Sequence, residues 1–332
     1  MILSKARITA IGSYVPEKIL SNDDLSKLVE TNDEWITQRT GIKERRVSAE
    51  DEFTTNLAIN AVQNMIDRYQ VSVSDVDFIL VCTSTPDYSF PSVASQIQAH
   101  FQIEQTGAVD ANAVCAGFAY GLYMANGLVT SGLNRKVLVV GAETMSKVMD
   151  YTDRTTCILF GDGAGAVLVE YDEEQPSFIA SHVGAKGDGG IHLYRSGLST
   201  KMGGRDLIAN GCLVQNGREV YRWAVNTVPA GMRELMKTAE MSMDQVSWFV
   251  PHSSNMRMLE SICDKAGFPV ERMLVSLVEY GNTSAASIPL SIDKGIRNGS
   301  VKNGDTMLLY GFGGGLTHAG LLIHWNTKTP AS

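Results

Sequence analysis

The feature that most constrains this chain is an order of segments that occurs twice. Asp77-Phe-Ile-Leu-Val-Cys82 is an apolar run ending in the polar loop Thr83-Ser-Thr-Pro-Asp87, and Trp248-Phe-Val-Pro251 likewise runs into His252-Ser-Ser-Asn255. Gly161-Asp-Gly-Ala-Gly165 feeds an apolar strand, as Gly311-Phe-Gly-Gly-Gly315 does near the C-terminus. Between the two sets lies the polar stretch Asp172-Glu-Glu-Gln-Pro-Ser177, a linker by composition. Strand, polar loop, helix, strand and glycine turn therefore recur, which argues for a duplicated α/β unit, residues 1–172 and 173–332, packed as one body. With 332 residues the chain can bury a core of that size. Strands alternating with helices predict mainly parallel sheets, with ligands at the strands' C-terminal ends.

Local signals fill in the elements. Ala6 to Tyr14 reads as a strand ended by Pro16. Ser21-Asn-Asp-Asp carries capping residues and predicts a helix through Leu25, Leu28 and Val29; Thr31-Asn-Asp-Glu-Trp-Ile36 starts another, stopped by Gly41. Apolar residues at helical spacing, Leu57, Ala58, Ala61, Val62, Met65 and Ile66, predict an amphipathic helix over 54–69. A further helix is expected over 91–101, and Lys136-Val-Leu-Val-Val-Gly-Ala-Glu143 reads as a buried strand.

Val109-Asp-Ala-Asn-Ala-Val-Cys-Ala-Gly-Phe-Ala-Tyr-Gly-Leu122 changes pattern at Cys115. A short buried strand is expected over 109–114 and a small-residue helix over 116–129, so Cys115 falls at a strand-to-helix turn. There the unpaired N–H groups and the helix dipole favour an anion and would lower the thiol pKa, making a nucleophile. Taken alone, the stretch fits a small apolar filler better. The five cysteines (Cys82, Cys115, Cys157, Cys212, Cys263) are odd in number, widely spaced and without zinc or redox spacing, so they read as reduced thiols of a cytoplasmic protein.

The net charge of −8 argues against nucleic acid as a partner of the chain as a whole, and no apolar run reaches membrane-spanning length. The opening Met1-Ile-Leu-Ser-Lys-Ala-Arg7 reads as the start of a strand rather than a secretory signal. His252 follows a buried strand and is placed to face a cleft, although for any one of six histidines a surface loop is the better bet. Asn282, in Glu279-Tyr-Gly-Asn-Thr-Ser-Ala-Ala-Ser-Ile-Pro289, fits a helix cap or a site residue. The C-terminal glycine turn lacks the lysine of a phosphate loop and suits backbone donors aimed at an oxyanion.

Taken in order, Asp33-Glu-Trp-Ile36, Thr40-Gly-Ile-Lys-Glu-Arg45, Phe90-Pro-Ser92, Cys115-Ala-Gly-Phe118, Phe160 to Gly165, His252-Ser-Ser-Asn255, Tyr280 to Pro289 and Gly311 to Gly315 resemble the β-ketoacyl-acyl-carrier-protein synthase III family of the thiolase superfold, over nearly the whole chain. The resemblance implies thiolase-like βαβαβαββ halves in a layered αβαβα body. It implies Cys115, His252 and Asn282 as the catalytic residues, with backbone N–H groups of Cys115 and Gly314 as the oxyanion hole. Coenzyme A would be held by Trp35, Arg39, Arg154 and Asn255. The acidic carrier protein would dock on Arg257, helped by Arg222 and Lys265, each of which also fits an ordinary solvated charge. Phe90 would reach across a homodimer interface into the partner's acyl pocket.

The implied reaction is a decarboxylative condensation that starts fatty-acid chains. A short acyl-CoA primer, acetyl or branched, loads Cys115, and malonyl-acyl-carrier protein then supplies the enolate. No metal or cofactor is called for. Ser253-Ser254 stand where the family often has Gln-Ala, Thr155 where a Gly is common, and His318 where Trp is frequent; these bear on acyl preference and affinity. A degradative thiolase would place a second cysteine in the 311–315 turn, and none is there. A hydroxymethylglutaryl-type synthase would use a catalytic Glu, for which Glu143 is available, but Asn282 in its motif argues otherwise. A condensing enzyme of a specialised polyketide-type pathway, or a non-catalytic acyl-CoA-binding scaffold, are the remaining alternatives.

Overall fold

The computed structural model describes residues 3–330. Met1 and Ile2 of the opening segment lie outside the described residues.

Among the described residues, nine strands form two sheets with one shared plan. The first has the order Ala6–Tyr14, Asp162–Tyr171, Lys136–Thr144, Phe78–Cys82, Gly107–Ala111. The second has the order Phe178–Ala185, Thr317–His324, Thr306–Gly313, Trp248–Pro251. In each, the first two pairings are antiparallel and the next is parallel. The fifth strand of the first sheet pairs in parallel with Phe78–Cys82. In the second sheet that place shrinks to one isolated bridge, Phe249 with Met273. The expected mainly parallel sheets are thus corrected to mixed ones. The strands after the two glycine turns fold back beside their predecessors instead of crossing over through a helix.

Helices complete the layers. Thr54–Tyr69 lies on the first sheet, contacting Ala6–Tyr14, Lys136–Thr144 and Asp162–Tyr171. Gly217–Ala239 lies on the second, against Phe178–Ala185, Thr306–Gly313 and Thr317–His324. Gly117–Thr130 and Ser287–Arg297 each touch strands of both sheets and so fill the space between them. The result is an αβαβα stack. Position in the stack explains composition. The central strand Lys136–Thr144 is buried at all nine residues and reads as a continuous apolar run, whereas Thr54–Tyr69 has one wet face and alternates at helical spacing.

Two expected elements differ. The helix at Ser21 is only Asn22–Leu25; its capping box is present, but Leu28 and Val29 lie beyond it. The strand before Cys115 is Gly107–Ala111, and it is half-buried because it closes the sheet as an edge; Val109 is 44% exposed. Small ribbons, Leu193–Arg195 with Leu213–Gln215 and Lys201–Met202 with Arg205–Asp206, were not anticipated. Among the described residues no helix is long and apolar enough to cross a membrane.

Candidate active site

Cys115 sits in a single 3-10 turn, Val114–Ala116, that runs directly into the helix Gly117–Thr130. Val114 just before it has φ +47, a left-handed conformation that a β-branched residue adopts only when its surroundings impose it. The strand Thr306–Gly313 passes over the turn so closely that a Cβ on Gly313 would lie 2.7 Å from Cys115 Cβ and 3.0 Å from its sulfur. Only glycine allows that approach.

His252 follows the strand Trp248–Pro251 and extends its ladder, donating its N–H to Tyr310 O at 2.8 Å. Its ring stands edge-on to Phe312, and Nδ1 lies 2.8 Å from Ser287 Oγ. Asn282 is clamped to the residue 159–161 loop: its N–H donates to Leu159 O at 2.8 Å, and its carbonyl accepts from Gly161 N–H at 3.0 Å. Asn282 Oδ1 accepts the N–H of Ser284 at 2.9 Å, which leaves the amide NH₂ as its unoccupied end. That loop is held from behind by Arg45, a fully buried guanidinium that donates to Ile158 O, Leu20 O and Asn22 Oδ1.

These three side chains line one cavity of about 520 Å³, each nearly buried. Trp35, Arg39, Arg154 and Asn255 line the same cavity, as do Thr155, Ser254 and Arg257. Arg39 and Arg154 both lie over the Trp35 ring, at 4.8 and 5.5 Å from its centroid. Gly314 is beside the Cys115 turn, where a Cβ on it would lie 3.1 Å from the Val114 side chain. Arg222 and Lys265 are not brought to this cavity. Arg222 pairs with Glu219 at 2.7 Å, and Lys265 Nζ donates to Asn226 Oδ1 at 2.9 Å, on two neighbouring helices whose outer faces are exposed. Phe90 also lies apart and is 86% exposed. His318 stacks on Tyr310 and bonds to its hydroxyl at 2.9 Å, outside the Cys115 cavity.

The electrostatics correct one expectation. The Cys115 thiol is not lowered: burial pushes it up to about 12, with the Glu143 charge adding to the rise, while the Ser284 hydroxyl and the N–H groups of Cys115 and Gly314 oppose it. The helix start is present, but the burial of the sulfur outweighs it. Burial also holds His252 down to about 3, so the imidazole is neutral at physiological pH.

One relationship was missed in the sequence. The offset that carries Phe78 to Trp248 also carries Asn112 to Asn282, Val114 to Ser284 and Cys115 to Ala285. Ser284, like Val114, has a left-handed φ of +48, and the 3-10 turn Ser284–Ala286 runs into Ser287–Arg297 as the Cys115 turn runs into its own helix. The matching asparagines were the available signal.

A buried cysteine between two helix-start turns, faced by a neutral histidine and a clamped asparagine, on a thiolase-fold stack, defines an acyltransferase of the condensing type. The family described as 3-oxoacyl-[acyl-carrier-protein] synthase III matches residues 109–187, and its C-terminal part matches residues 236–325. A β-ketoacyl-[acyl-carrier-protein] synthase III 2 of Halalkalibacterium halodurans is 63% identical over 329 residues, 99% of each chain. One of Bacillus subtilis (strain 168) is 56% identical, over 97% of this chain and 99% of that one. Among solved structures, the synthase III of Thermus thermophilus superposes with a TM-score of 0.92 at 40% identity, covering 96% of this chain and 99% of that one. The priming β-ketosynthase of the R1128 polyketide pathway superposes at 0.90 with 33% identity, covering 98% of this chain and 97% of that one. The chain belongs to the β-ketoacyl-acyl-carrier-protein synthase III family.

Proposed function

We propose that the protein condenses a short acyl group, taken from an acyl-CoA primer, with malonyl-acyl-carrier protein, releasing CO₂ and starting a fatty-acid chain. The observation that carries this is the convergence of Cys115, neutral His252 and the free NH₂ end of Asn282 on one cavity that also holds Trp35 and Arg154.

In the first half-reaction Cys115 attacks the primer thioester, coenzyme A leaves, and the acyl group stays on sulfur. The backbone N–H groups of Cys115 and Gly314 hold the tetrahedral oxyanion. In the second, the malonyl thioester loses CO₂, and negative charge develops on its thioester oxygen. Asn282 NH₂ and His252 donate to that oxygen, and the loss of one such donor costs about 3–4 kcal/mol of barrier. For His252 this requires the hydrogen on Nε2, the tautomer in which the Ser287 hydroxyl turns its one hydrogen from Ser284 O, 2.9 Å away, to Nδ1. A neutral donor leaves the enolate basic enough to attack the acyl group on Cys115.

Trp35, Arg39 and Arg154 would take the nucleotide end of coenzyme A, and Asn255 its pantetheine arm. Arg257 is exposed at the cavity rim, with Arg222 and Lys265 on the next helix faces, a basic surface suited to an acidic carrier protein. A homodimer is supported by the outer edge of Gly107–Ala111, which no other strand of the described residues covers, and by exposed Phe90 and Val109. Residues 1–172 and 173–332 are the two halves, the first carrying the nucleophile and the second His252 and Asn282. The protein works in the cytoplasm without a cofactor. A second reading, priming of a specialised polyketide-type pathway, draws on the likeness to the R1128 priming synthase.

Intact-protein mass after mixing with a panel of acyl-CoAs tests the first half-reaction. One acyl group should add to the parent and none to Cys115→Ser, and the best-loading acyl group names the primer. A folded parent that takes no adduct from any acyl-CoA would overturn the reading.

A further inference from the structure

Arg45 is a buried cation with no part in the reaction above. It lies in the short strand Glu44–Arg46, paired with Ile19–Ser21, and is wholly inaccessible. Burial lowers its pKa only to about 10, so it keeps its charge near neutral pH. Among the described residues no carboxylate forms an ion pair with it. Its guanidinium donates instead to three neutral oxygens: Ile158 O at 2.6 Å, Asn22 Oδ1 at 2.8 Å and Leu20 O at 3.2 Å. A buried charge without a counter-charge is costly and calls for a reason.

Leu20 and Asn22 anchor the guanidinium. Asn22 holds its oxygen towards Arg45 because its NH₂ donates to Ile42 O at 2.9 Å and to Asp33 Oδ1 at 2.8 Å. The third acceptor, Ile158 O, is buried, belongs to the loop that clamps Asn282, and has no other donor among the described residues. The next carbonyl, Leu159 O, accepts the Asn282 N–H, and Gly161 N–H donates to Asn282 O. The stem of Arg45 packs against both sides of this clamp. A Cβ on Gly161 would lie 3.1 Å from Arg45 Cβ, and one on Gly281 would lie 3.0 Å from it.

We propose that Arg45 is a positioning residue for the decarboxylation step: its guanidinium fixes the 158–161 loop, and the loop fixes where the Asn282 NH₂ stands. This rests on the reading of Asn282 as a donor to the malonyl thioester oxygen. The loop grips Asn282 by its backbone N–H and its backbone carbonyl, so a shift of the loop carries the residue with it. Without the guanidinium, Ile158 O would be a buried carbonyl with no donor, and the loop would move to pair it. A donor misplaced by about 1 Å can cost about 100-fold in rate. Loading of Cys115 asks nothing of Asn282, so only the second half-reaction should feel the change.

The test measures the two half-reactions separately in the parent, Arg45→Met and Arg45→Lys, and in the same three with Asn282→Ala added. Loading of Cys115 is followed by intact mass at saturating acyl-CoA. Decarboxylation is followed as CO₂ released from malonyl-acyl-carrier protein by the preloaded enzyme. Arg45→Met should release CO₂ about 100-fold more slowly, with loading unchanged. Arg45→Lys keeps the charge but lacks the fork that reaches three acceptors, so it should lose about tenfold; it carries the test if the Met variant does not fold. With Asn282→Ala in place, neither substitution should slow CO₂ release further, because the group being positioned is gone. Loading and CO₂ release that fall in parallel, CO₂ release that does not change, or a loss of equal size with and without Asn282 would overturn the assignment. A parent that loads an acyl group but releases no CO₂ would instead overturn the condensing reading of Asn282.

Discussion

Val114 and Ser284 occupy equivalent places in the two halves, with φ of +47 and +48, one residue before Cys115 and before its counterpart Ala285. The left-handed conformation costs roughly 1–2 kcal/mol for a residue with a Cβ. Val114→Gly removes that strain but also removes the contact between the Val114 side chain and the Gly314 region and frees the unfolded chain. The opposing effects should leave the thermal midpoint within about 2 °C of the parent, while acylation slows because the turn that aims Cys115 is loosened. A large fall in midpoint with unchanged acylation would show that Val114 matters to folding alone.

Gly313→Ala separates fold from chemistry from the other side. Its new methyl would fall 3.0 Å from the Cys115 sulfur, and the Cys115 backbone N is only 3.6 Å away. Rotating the sulfur away does not relieve the contact, because the Cys115 Cβ itself would lie 2.7 Å from the new methyl, so the whole turn must retreat. The expected outcome is at least about 100-fold slower acylation, the scale for losing oxyanion donors, with coenzyme A binding retained in calorimetry. Normal acyl-adduct formation would mean that the turn can retreat.

The repeat, the strands and the meeting of Cys115, His252 and Asn282 on one cavity were legible because apolar runs, glycine turns and ordered motifs are written in consecutive residues. The Cys115 pKa was not. A helix start can be seen in the sequence, but the burial of the sulfur comes from segments distant in the chain, among them the strand at Gly313, and desolvation won. The edge position of Gly107–Ala111 was hidden for a similar reason, since alternation does not say which strand ends a sheet. Arg222 and Lys265 carry no pattern beyond charge, and only packing separates them from the cavity.

His252 makes stability depend on acid. Its pKa falls from 6.5 to about 3 in the folded protein because burial penalises the imidazolium. Between those values the unfolded chain binds a proton that the native protein does not. Stability therefore rises with pH through this window and is lost as pH falls from 6.5 towards 3, at about 1.4 kcal/mol per unit. His318, lowered to about 4 by burial and by His182, adds a contribution of the same sign. Urea unfolding of the parent at pH 6.5 and 4.5 should show a clear loss, reduced in His252→Gln. Decarboxylation by the folded parent should show no acid limb near pH 6.5; a limb there would mean that His252 titrates in the active protein.

Trp35 carries the last prediction. Arg154 lies 5.5 Å from the Trp35 ring centroid and donates to Glu30 O at 2.9 Å. A base sandwiched between indole and guanidinium needs about 3.5–4 Å on each face, more than that gap provides. Arg154 must therefore swing outward as the nucleotide arrives, giving up its bond to Glu30. A stacked cation and base contribute on the order of 1–2 kcal/mol, so Trp35→Ala should weaken coenzyme A binding roughly 5- to 30-fold. The acylation rate at saturating acyl-CoA should hold, because Trp35 does not touch the reacting atoms. A short acyl thioester of N-acetylcysteamine, which lacks the nucleotide, should load Cys115 equally well in parent and variant. Equal damage with both donors would place the Trp35 effect on the fold of the cavity and remove the stacking role.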